Sequence, residues 1–505
     1  MSNANLYSLF SANFSNAPGA VFLEMPDGRR LHYADVPELT GRMLSLLQQY
    51  GVEKGDRVVV QVEKSIEAVG LYLACLRAGA IYIPLNTAYT VNEVAYFLQD
   101  AEPRVFVCTP QAKASLDGVA ATAKVAKIVT LGQAGDGELI AALAAQPASE
   151  QVVQVAGDDL AAILYTSGTT GRSKGAMLSH ANLASNAQVL HDYWQWQPTD
   201  VLLHALPVFH VHGLFVALHC ALLGGSRVLF MPRFDLPTVL GALPQATVMM
   251  GVPTFYTRLL GSEQFTRDSV TNMRLFISGS APLLAETHRE FEARTGHRIL
   301  ERYGMTETGM ITSNPYDGER VAGTVGFALP GVVIRIADEQ GKPVPAGEAG
   351  VLELNGANVF KGYWRMPEKT AEEFRPDGWF ITGDIASMDE EGRVTIVGRA
   401  KDLIISGGFN VYPKEIESHI DELPGVKESA VIGVPHPDFG DGVAAVVVPD
   451  GSSELSEPAV IAALKDSLAR FKQPKRVFIV DALPRNTMGK VQKNVLRDNY
   501  KDTFV

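Results

Sequence analysis

The chain is poor in cysteine, and this scarcity restricts the kinds of site it can contain. Cys75, Cys108 and Cys220 are the only cysteines among 505 residues, and they lie far apart in the sequence. This number and spacing exclude a disulfide-stabilised fold and provide no C-x-x-C metal motif. Cys75 and Cys108 lie within apolar runs, where a thiol packs as a small hydrophobic side chain. We therefore expect the protein to act in a reducing compartment, the cytoplasm.

The chain also lacks a basic surface and an uninterrupted apolar span. The formal net charge is −12 with no long run of Lys or Arg, so we expect neither nucleic acid nor an anionic membrane as a partner. Residues 1–5 lack the basic and apolar regions of a secretory signal. Residues 201–226 contain no Asp, Glu, Lys or Arg, but Pro207, Gly213 and four histidines interrupt them. This composition favours a buried strand, loop and helix over a membrane-spanning helix.

Short β-rich runs alternate with helical stretches up to about residue 310. This alternation predicts an α/β fold with parallel, doubly wound sheets. The expected strands include residues 57–62, 160–164 and 298–301. Thr90-x-x-Glu93 has the form of a capping box at the start of a helix.

The pattern changes twice in the last third of the chain. Between about residues 321 and 398, Gly and Pro recur every few residues between short alternating runs, which predicts a small β-barrel-like unit. After the charged joint Gly398–Asp402, a separate mixture of helix and strand patterns follows. We therefore expect a large N-terminal domain, residues 1–398, and a small, mobile α+β lid domain, residues 399–505.

The most informative segment runs from Tyr165 to Gly175. It combines hydroxyl residues with three glycines and two cations directly after the apolar run 160–164. Backbone N–H groups, hydroxyls and a lysine at such a turn form an anion site, so we expect a polyphosphate-binding loop. The spacing is not that of a Walker A loop, because Ser173 and not glycine stands five residues after Gly168. A Gly/Ser-rich linker is the alternative.

Other polar motifs follow in a fixed order: Ser278–Pro282, Glu301–Glu307, Trp379–Asp384 with Arg399, and Pro484–Lys490. Taken singly, each has an ordinary structural explanation. Tyr303 suits a core, Asp384 a turn and Glu307 a solvated helix start. Taken together, they supply an aromatic ring, carboxylates and cations of the kind that hold a nucleotide and Mg²⁺.

The ordered set resembles the acyl-adenylate-forming superfamily, which includes acyl-CoA synthetases, adenylation domains of nonribosomal peptide synthetases and beetle luciferases. The resemblance extends from about residue 20 to residue 500. It implies ATP and Mg²⁺ as cofactors and coenzyme A as co-substrate. The ATP-binding residues that it implies are Thr166, Ser167, Gly168, Thr169, Thr170, Lys174, Ser280, Ala281, Pro282, Glu301, Arg302, Tyr303, Thr306, Asp384, Arg399 and Lys490.

The resemblance also assigns catalytic roles. Lys174 would hold the terminal phosphates, Thr306 would contact the α-phosphate, Glu307 would hold Mg²⁺, and Lys490 would bridge the α-phosphate and the attacking carboxylate. A carboxylate can attack an anionic phosphorus only where a cation stabilises both groups. In this superfamily the small domain rotates about a hinge, here Lys401.

The other face of the lid would present a tunnel for coenzyme A, formed here by Gly407, Gly408 and Phe409. An ordinary turn is the alternative explanation for Ser406-Gly407-Gly408.

Arg302 indicates which acid is activated. A permanent cation beside the carboxylate pocket suits a second carboxylate, which an arginine grips through two parallel hydrogen bonds. The segments 251–260, 300–308 and 484–497 resemble those of malonyl-CoA synthetases, which implies malonate as substrate, with methylmalonate as a second candidate. Arg258, His210 and Ser280 would complete the carboxylate site. The alternatives are an ion pair of Arg302 with Glu301 or another acid, without a substrate role, and a surface position for Arg258.

The predicted reaction is ATP-dependent ligation of malonate to coenzyme A through malonyl-AMP, with release of AMP and diphosphate, by a monomer or small homo-oligomer. Three alternatives remain: a ligase for another small carboxylate or dicarboxylate, a stand-alone enzyme that loads a carrier protein, and a nucleotide sensor without catalysis. The intact Lys174, Glu307 and Lys490 disfavour the sensor. Oxygenation of the luciferase type is a fourth, more remote alternative.

Overall fold

The computed structural model describes residues 3–14, 19–166, 173–406, 409–465, 467–486 and 489–504. Two large α/β sheets form most of the first 330 residues. The inner strands of both sheets run parallel, and antiparallel strands lie at their edges. The predicted doubly wound α/β architecture is therefore confirmed.

The first sheet has nine strands. In spatial order they are Phe327–Ala328, Gly309–Ser313, Leu300–Met305, Leu275–Ser278, Val248–Gly251, Val201–His204, Arg227–Phe230, Val21–Glu24 and Arg30–His32. The second sheet has six, in the order Lys127–Thr130, Val105–Cys108, Arg57–Gln61, Ile81–Pro84, Leu160–Thr166 and Lys174–Ser179. The strand predicted to end at Glu301 instead runs to Met305, because pairing with Gly309–Ser313 extends it.

Helices cover these sheets, and several begin at the caps that the sequence indicates. Ser65 accepts a hydrogen bond from the backbone of Ala68 at the start of its helix. The predicted capping box of Thr90 and Glu93 is formed in both directions. The α-helices of the first 330 residues are Leu6–Ser11, Val36–Gln49, Ile66–Ala78, Val91–Ala101, Lys113–Thr122, Glu138–Leu143, His180–Tyr193, Leu218–Gly224, Leu236–Ala242, Pro253–Leu260 and Ala285–Thr295.

The charge-free segment 201–226 is buried within the first domain. It forms the strand Val201–His204, a π-helical turn at His212–Ala217 and the helix Leu218–Gly224, which agrees with the predicted strand, loop and helix. In the described residues, no helix has the length and apolar character needed to cross a bilayer.

The predicted β unit is a four-stranded antiparallel sheet with a linear strand order: Val332–Ala337, Gly350–Gly356, Phe380–Met388 and Val394–Arg399. The short helix Pro367–Glu372 lies between its second and third strands.

The C-terminal segment has its own sheet and its own apolar core. Its strands are Phe409–Val411, Ile404–Ser406, Gly440–Pro449 and Val426–His436, with Arg476–Ile479 beside Gly440–Pro449. Its helices are Pro413–Asp421, Glu457–Ala463 and Lys493–Tyr500. Lys401 lies in a turn, Ala400–Asp402, between the last strand of the β unit and the first strand of this sheet. The hinge prediction thus falls on a connection between two separate sheets.

Candidate active site

Three neighbouring parallel strands end on the same edge of the nine-stranded sheet. Val248–Gly251 leads to Thr254, Leu275–Ser278 leads to Ser280, and Leu300–Met305 carries Arg302. The carboxyl ends of parallel strands are where open α/β sheets bind ligands. Ser280 has φ of +70°, a backbone conformation that is strained for a residue with a side chain and that concentrates at functional sites.

The β unit contributes a carboxylate to this edge. Asp384 accepts a hydrogen bond from the Tyr303 hydroxyl on Oδ2 (2.5 Å), and its Oδ1 lies 2.9 Å from Arg399 Nε. Asp384 is buried, and it pairs in register with Arg399 across two antiparallel strands. Three residues that lie far apart in the sequence therefore form one polar group.

A second acidic group lies beside it. Glu307 is buried, and its Oε1 accepts a hydrogen bond from the Tyr363 hydroxyl at 3.0 Å. Burial raises the pKa of Glu307, while the Tyr363 hydrogen bond and the charge of Lys174 act in the opposite direction. Lys174 Nζ lies 4.1 Å from the Tyr363 ring centroid and 3.2 Å from Glu373 Oε1. This arrangement brings the predicted metal ligand next to a predicted phosphate ligand.

Arg302 is buried, with 3% of its surface exposed, and its Nε and Nη2 have no hydrogen-bond partner in the described structure. Burial lowers the pKa of the guanidinium to about 9, which still leaves a cation at neutral pH. Gly279 lies against it so closely that a methyl group at that position would overlap the guanidinium. Among the described residues Arg302 is therefore a buried cation with no ion-pair partner, which is costly unless an anion binds to it.

The alternative pairing of Arg302 with Glu301 is not formed. Glu301 Oε1 accepts a long hydrogen bond of 3.4 Å from the backbone N–H of Leu283, and its Oε2 has no partner among the described residues. Neighbouring residues on a strand point to opposite faces of the sheet. Burial raises the pKa of Glu301 to about 8, so this carboxyl is largely neutral at pH 7.

Two histidines stand close to Arg302. His212 Nδ1 lies 3.2 Å from Ser280 Oγ, and its buried Nε2 has no partner in the described structure. Burial, and then the charge of Arg302, depress the pKa of both histidines, for His210 to about 4. Both rings are therefore neutral at physiological pH, so they offer hydrogen bonds and not charge.

Lys490 reaches into the same cleft from the C-terminal domain. Burial lowers the pKa of Lys490 to about 8, with a further contribution from Arg399, and the charge of Lys490 in turn contributes to the lowered pKa of His210. A Cβ atom at Gly489 would lie 3.2 Å from Thr254 Oγ1. The loop that carries Gly489 and Lys490 therefore lies at the strand ends, and the Lys490 ammonium is close enough to Arg399, Asp384 and His210 to interact with them electrostatically.

Some predicted residues are not part of this group. Ser167, Gly168, Thr169, Thr170, Gly407 and Gly408 lie outside the described residues, and for Phe409 only the backbone is described. Thr166 ends the strand before the phosphate loop and pairs with Lys174. Arg258 is exposed on the helix Pro253–Leu260, with its guanidinium 5.8 Å from the Phe234 ring centroid. This position agrees with the surface alternative.

Thr306 lies in the turn after Leu300–Met305 and is half-buried. Ala281 and Pro282 follow Ser280 toward the helix Ala285–Thr295.

Sequence reasoning missed several neighbours of the site. Gly279, Thr254 and Tyr363 occur in the segments considered above, but nothing in their spacing marks them as site residues. Tyr363, as the hydrogen-bond donor to Glu307, lies 56 residues away from it in the chain. A signal for His212 existed in the pair His210-Val211-His212, which places two imidazoles beside one anion site.

Comparison with known proteins agrees with this geometry. The AMP-binding enzyme family model matches residues 10–364, and the model of the AMP-binding enzyme C-terminal domain matches residues 415–490. The chain belongs to the AMP-binding enzyme family, and the resemblance to acyl-adenylate-forming enzymes is confirmed.

Relatives with different named substrates match more than nine tenths of the chain. A malonate–CoA ligase of Arabidopsis thaliana is 32% identical and covers 99% of this chain and 90% of its own length. The mitochondrial malonate–CoA ligase ACSF3 of Mus musculus is 35% identical, covering 91% and 85%. A feruloyl-CoA synthase of Amycolatopsis is also 35% identical, covering 94% of each chain. Overall identity to these relatives does not discriminate between the acids in their names.

Among solved structures, ATP-bound MatB from Rhodopseudomonas palustris is 56% identical, with complete coverage of both chains and a TM-score of 0.97. The apo form of the same protein, also 56% identical with complete coverage, has a TM-score of 0.86. The arrangement of the present chain is therefore closer to the ATP-bound form than to the apo form.

Proposed function

We propose that this protein is an AMP-forming acid–CoA ligase whose acid is malonate, with methylmalonate as a second substrate. The observation that carries the proposal is the buried, unpaired guanidinium of Arg302 at the end of the cleft that Lys490 enters. The similarity to malonate–CoA ligases and to MatB supports it.

In the first half-reaction a malonate carboxylate oxygen attacks the α-phosphorus of ATP. The bond between the α-phosphorus and the oxygen bridging it to diphosphate breaks, which gives malonyl-AMP. Lys490 would stabilise both anions as they approach, because its ammonium is close enough to Asp384, Arg399 and His210 to interact with them electrostatically. Tyr303 and Asp384, which are joined by a hydrogen bond, would hold the nucleoside, and the Asp384 carboxylate would accept hydrogen bonds from the ribose hydroxyls.

In the second half-reaction the sulfur of coenzyme A attacks the malonyl carbonyl, and AMP leaves. The residues proposed for the tunnel are Gly407, Gly408 and Phe409, and the proposed lid rotation about Lys401 would bring them to the cleft. The position of Lys401 between two separate sheets supports its assignment as the hinge.

The acidic group around Glu307 fits Mg²⁺. No cluster of three or more potential protein ligands occurs within the described ranges, and Mg²⁺ in nucleotide sites is commonly held by one or two carboxylates together with phosphate oxygens. Glu307 supplies a buried carboxylate, Tyr363 orients it, and Lys174 is adjacent. When bound, the metal would neutralise phosphate charge.

Selectivity follows from the charge of Arg302. Acetate or a fatty acid would leave this cation buried without an anion, and truncation of such charge pairs typically costs about 2–5 kcal/mol. A methyl branch is discriminated by only about 1–3 kcal/mol. We therefore place malonate first and methylmalonate second. Arg258 remains a proposed outer contact.

The test is an AMP-release assay over acetate, malonate, methylmalonate, succinate and benzoate, each with and without coenzyme A. We expect the highest kcat/KM with malonate and thioester formation only when coenzyme A is present. The Arg302→Leu variant should lose malonate turnover while retaining ATP binding, measured by calorimetry, and Arg258→Leu serves as the paired cation control. If Arg302→Leu keeps the malonate kcat/KM of the wild type, Arg302 does not bind the second carboxylate. If Arg258→Leu loses more malonate kcat/KM than Arg302→Leu, Arg258 is the residue that binds it.

The cysteines Cys75, Cys108 and Cys220 are free and buried, which supports the proposal of a reducing, cytoplasmic location. The oligomeric state, a monomer or a small homo-oligomer, remains a prediction.

A further inference from the structure

Lys64 is a buried lysine that no step of the proposed reaction uses. It lies between the strand Arg57–Gln61 and the helix Ile66–Ala78, with 5% of its surface exposed. Its Nζ is 2.7 Å from His204 Nδ1, 2.8 Å from the His204 carbonyl oxygen and 2.9 Å from the Leu206 carbonyl oxygen. The Phe230 ring centroid is 4.2 Å away. Lysine is almost never buried unless it is paired, and here its polar partners come from one short segment.

The contacts of His204 determine where the protons are. His204 Nε2 lies 2.8 Å from the Gly213 carbonyl oxygen, which can only accept, so Nε2 carries a hydrogen. If His204 is neutral, Nδ1 is then an acceptor, and Lys64 donates to three acceptors as an ammonium. Burial lowers the pKa of Lys64, and the three acceptors with the aromatic face oppose this effect. All of these hydrogen bonds are satisfied together only when the pair carries one positive charge.

These bonds connect both ends of one loop. Lys64 holds the Leu206 carbonyl at the start of residues 205–213, and His204 holds the Gly213 carbonyl at their end. A methyl group at Gly213 would overlap the Pro207 carbonyl oxygen, so the two ends are in direct contact. Gly213 belongs to the π-helical turn His212–Ala217, a form of helix that is frequent at functional sites.

The same loop carries the two imidazoles of the acid pocket. His210 lies within it, and His212 lies at its end with Nδ1 3.2 Å from Ser280 Oγ. The charge of Arg302 contributes to the lowered pKa of both histidines. A shift at the base of the loop therefore moves the wall of the pocket relative to the guanidinium that binds the second carboxylate.

We propose that Lys64 and His204 are positioning residues that hold the loop 205–213 and thereby set the selectivity of the acid pocket for a short dicarboxylate. The inference rests on the proposed function, since it concerns the same pocket. It adds two residues that do not contact the acid themselves.

The test compares Lys64→Met with wild type. Methionine retains an apolar stem of similar length and removes all three donors. We expect a fall of about 10²-fold in kcat/KM for malonate, the size of effect that a misplacement of about 1 Å produces. The fall should appear mainly in the malonate KM, with the ATP KM unchanged, and the preference for malonate over acetate should shrink.

Tyr72→Phe is the matched control. It removes another buried hydrogen bond, between the Tyr72 hydroxyl and His219 Nε2 (2.8 Å), which joins the helix that follows Lys64 to the helix that follows the π-helical turn. A purely structural role for Lys64 would lower the melting temperature of both variants and leave the malonate KM and the acid selectivity at wild-type values. That result in Lys64→Met would overturn the inference.

A second variant covers the case in which Lys64→Met does not fold. His204→Gln keeps a polar side chain in similar space and breaks the connection between Lys64 and Gly213, so it should raise the malonate KM in the same way. A wild-type malonate KM in folded His204→Gln would contradict the proposal. If the wild-type enzyme prefers another acid, the proposed function is refuted. The role of Lys64 is tested separately, by the ratio of the KM of the variant to that of the wild type for the preferred acid.

Discussion

Replacement of Lys490 by alanine should separate the two half-reactions. The Lys490 ammonium reaches the cleft from the C-terminal segment, and both the Asp384–Arg399 pair and His210 are close enough to interact with its charge. Gly489 lies so near Thr254 that a Cβ atom at Gly489 would be 3.2 Å from Thr254 Oγ1, and this proximity does not depend on the Lys490 side chain. The variant therefore removes the charge and should leave the position of this loop unchanged.

The magnitude follows from the role of the charge. Removal of one preorganised group that stabilises a developing anion costs about 10²–10³ in rate. We expect a loss of this size or larger in malonyl-AMP formation, because Lys490 serves both the α-phosphate and the carboxylate. Thioester formation from supplied malonyl-AMP should change little, because no charged oxygens need to be brought together in that step.

The assay measures the halves separately. Malonate-dependent exchange of diphosphate with ATP reports adenylation, and thioester production from synthetic malonyl-AMP and coenzyme A reports transfer. Lys493→Ala is the matched control, since Lys493 forms an ion pair with Glu417 within the C-terminal domain and should leave both halves near wild type. Equal losses of both halves in Lys490→Ala would refute the assignment of this lysine to adenylation alone.

The pH dependence provides a second readout of the same residue. Burial and Arg399 lower the pKa of Lys490 to about 8, and the protonated form is the active one. Adenylation kcat/KM of the wild type should therefore fall as pH rises through about 8, and this limb should be absent from Lys490→Ala. In kcat the limb should move to higher pH, because bound anions favour the ammonium. A wild-type profile that stays flat to pH 10 would contradict the assignment.

Three further changes test neighbouring parts of the site. Gly279→Ala should displace the Arg302 guanidinium and lower malonate kcat/KM with an unchanged ATP KM, in steady-state assays; an unaffected malonate KM would mean that Arg302 has room to move. Tyr363→Phe removes the hydrogen bond to Glu307 and should weaken apparent Mg²⁺ affinity about 10–100-fold, measured by Mg²⁺ titration of adenylation; an unshifted titration would argue against Glu307 as a ligand. Arg485→Leu removes the hydrogen bond from Arg485 Nη1 to the Gly489 carbonyl and the ion pair with Glu428. Diphosphate exchange should slow about 10-fold, since a hydrogen bond to a charged group contributes about 1.5–3 kcal/mol. Equal slowing of thioester formation would instead indicate that the C-terminal domain has lost its fold.

Local signals predicted the fold well. The cap at Ser65 and the capping box at Thr90 depend on residues three positions apart, so the sequence contains everything needed to form them. The alternation of strands and helices was likewise sufficient for the doubly wound sheets. The strand expected at 298–301 was less well placed, because its extension to Met305 depends on a partner strand that the local pattern does not specify.

The site was only partly predictable. The motifs supplied the chemistry, namely Asp384, Arg399, Glu307 and Lys490, and the structure brings these residues into one cleft. Arg258 was named as a carboxylate contact on the strength of its neighbourhood, but the helix Pro253–Leu260 exposes it to solvent. Residues one helical turn apart in such a segment can face the cleft or the surface, and the sequence does not distinguish them.

The sequence by itself indicated the kind of reaction, because its ordered motifs resemble those of acyl-adenylate-forming enzymes and supply residue types suited to phosphate, nucleoside and carboxylate ligands. The tertiary structure alone decided that Arg302 is separated from Glu301, that Gly279 makes room for it and that Lys64 and His204 contact the Leu206 and Gly213 carbonyls near the two ends of the adjacent loop. The physical reason is that these relations join residues up to 142 positions apart through burial and packing. Burial is also what makes an unpaired arginine costly, and therefore what makes it selective for an anion.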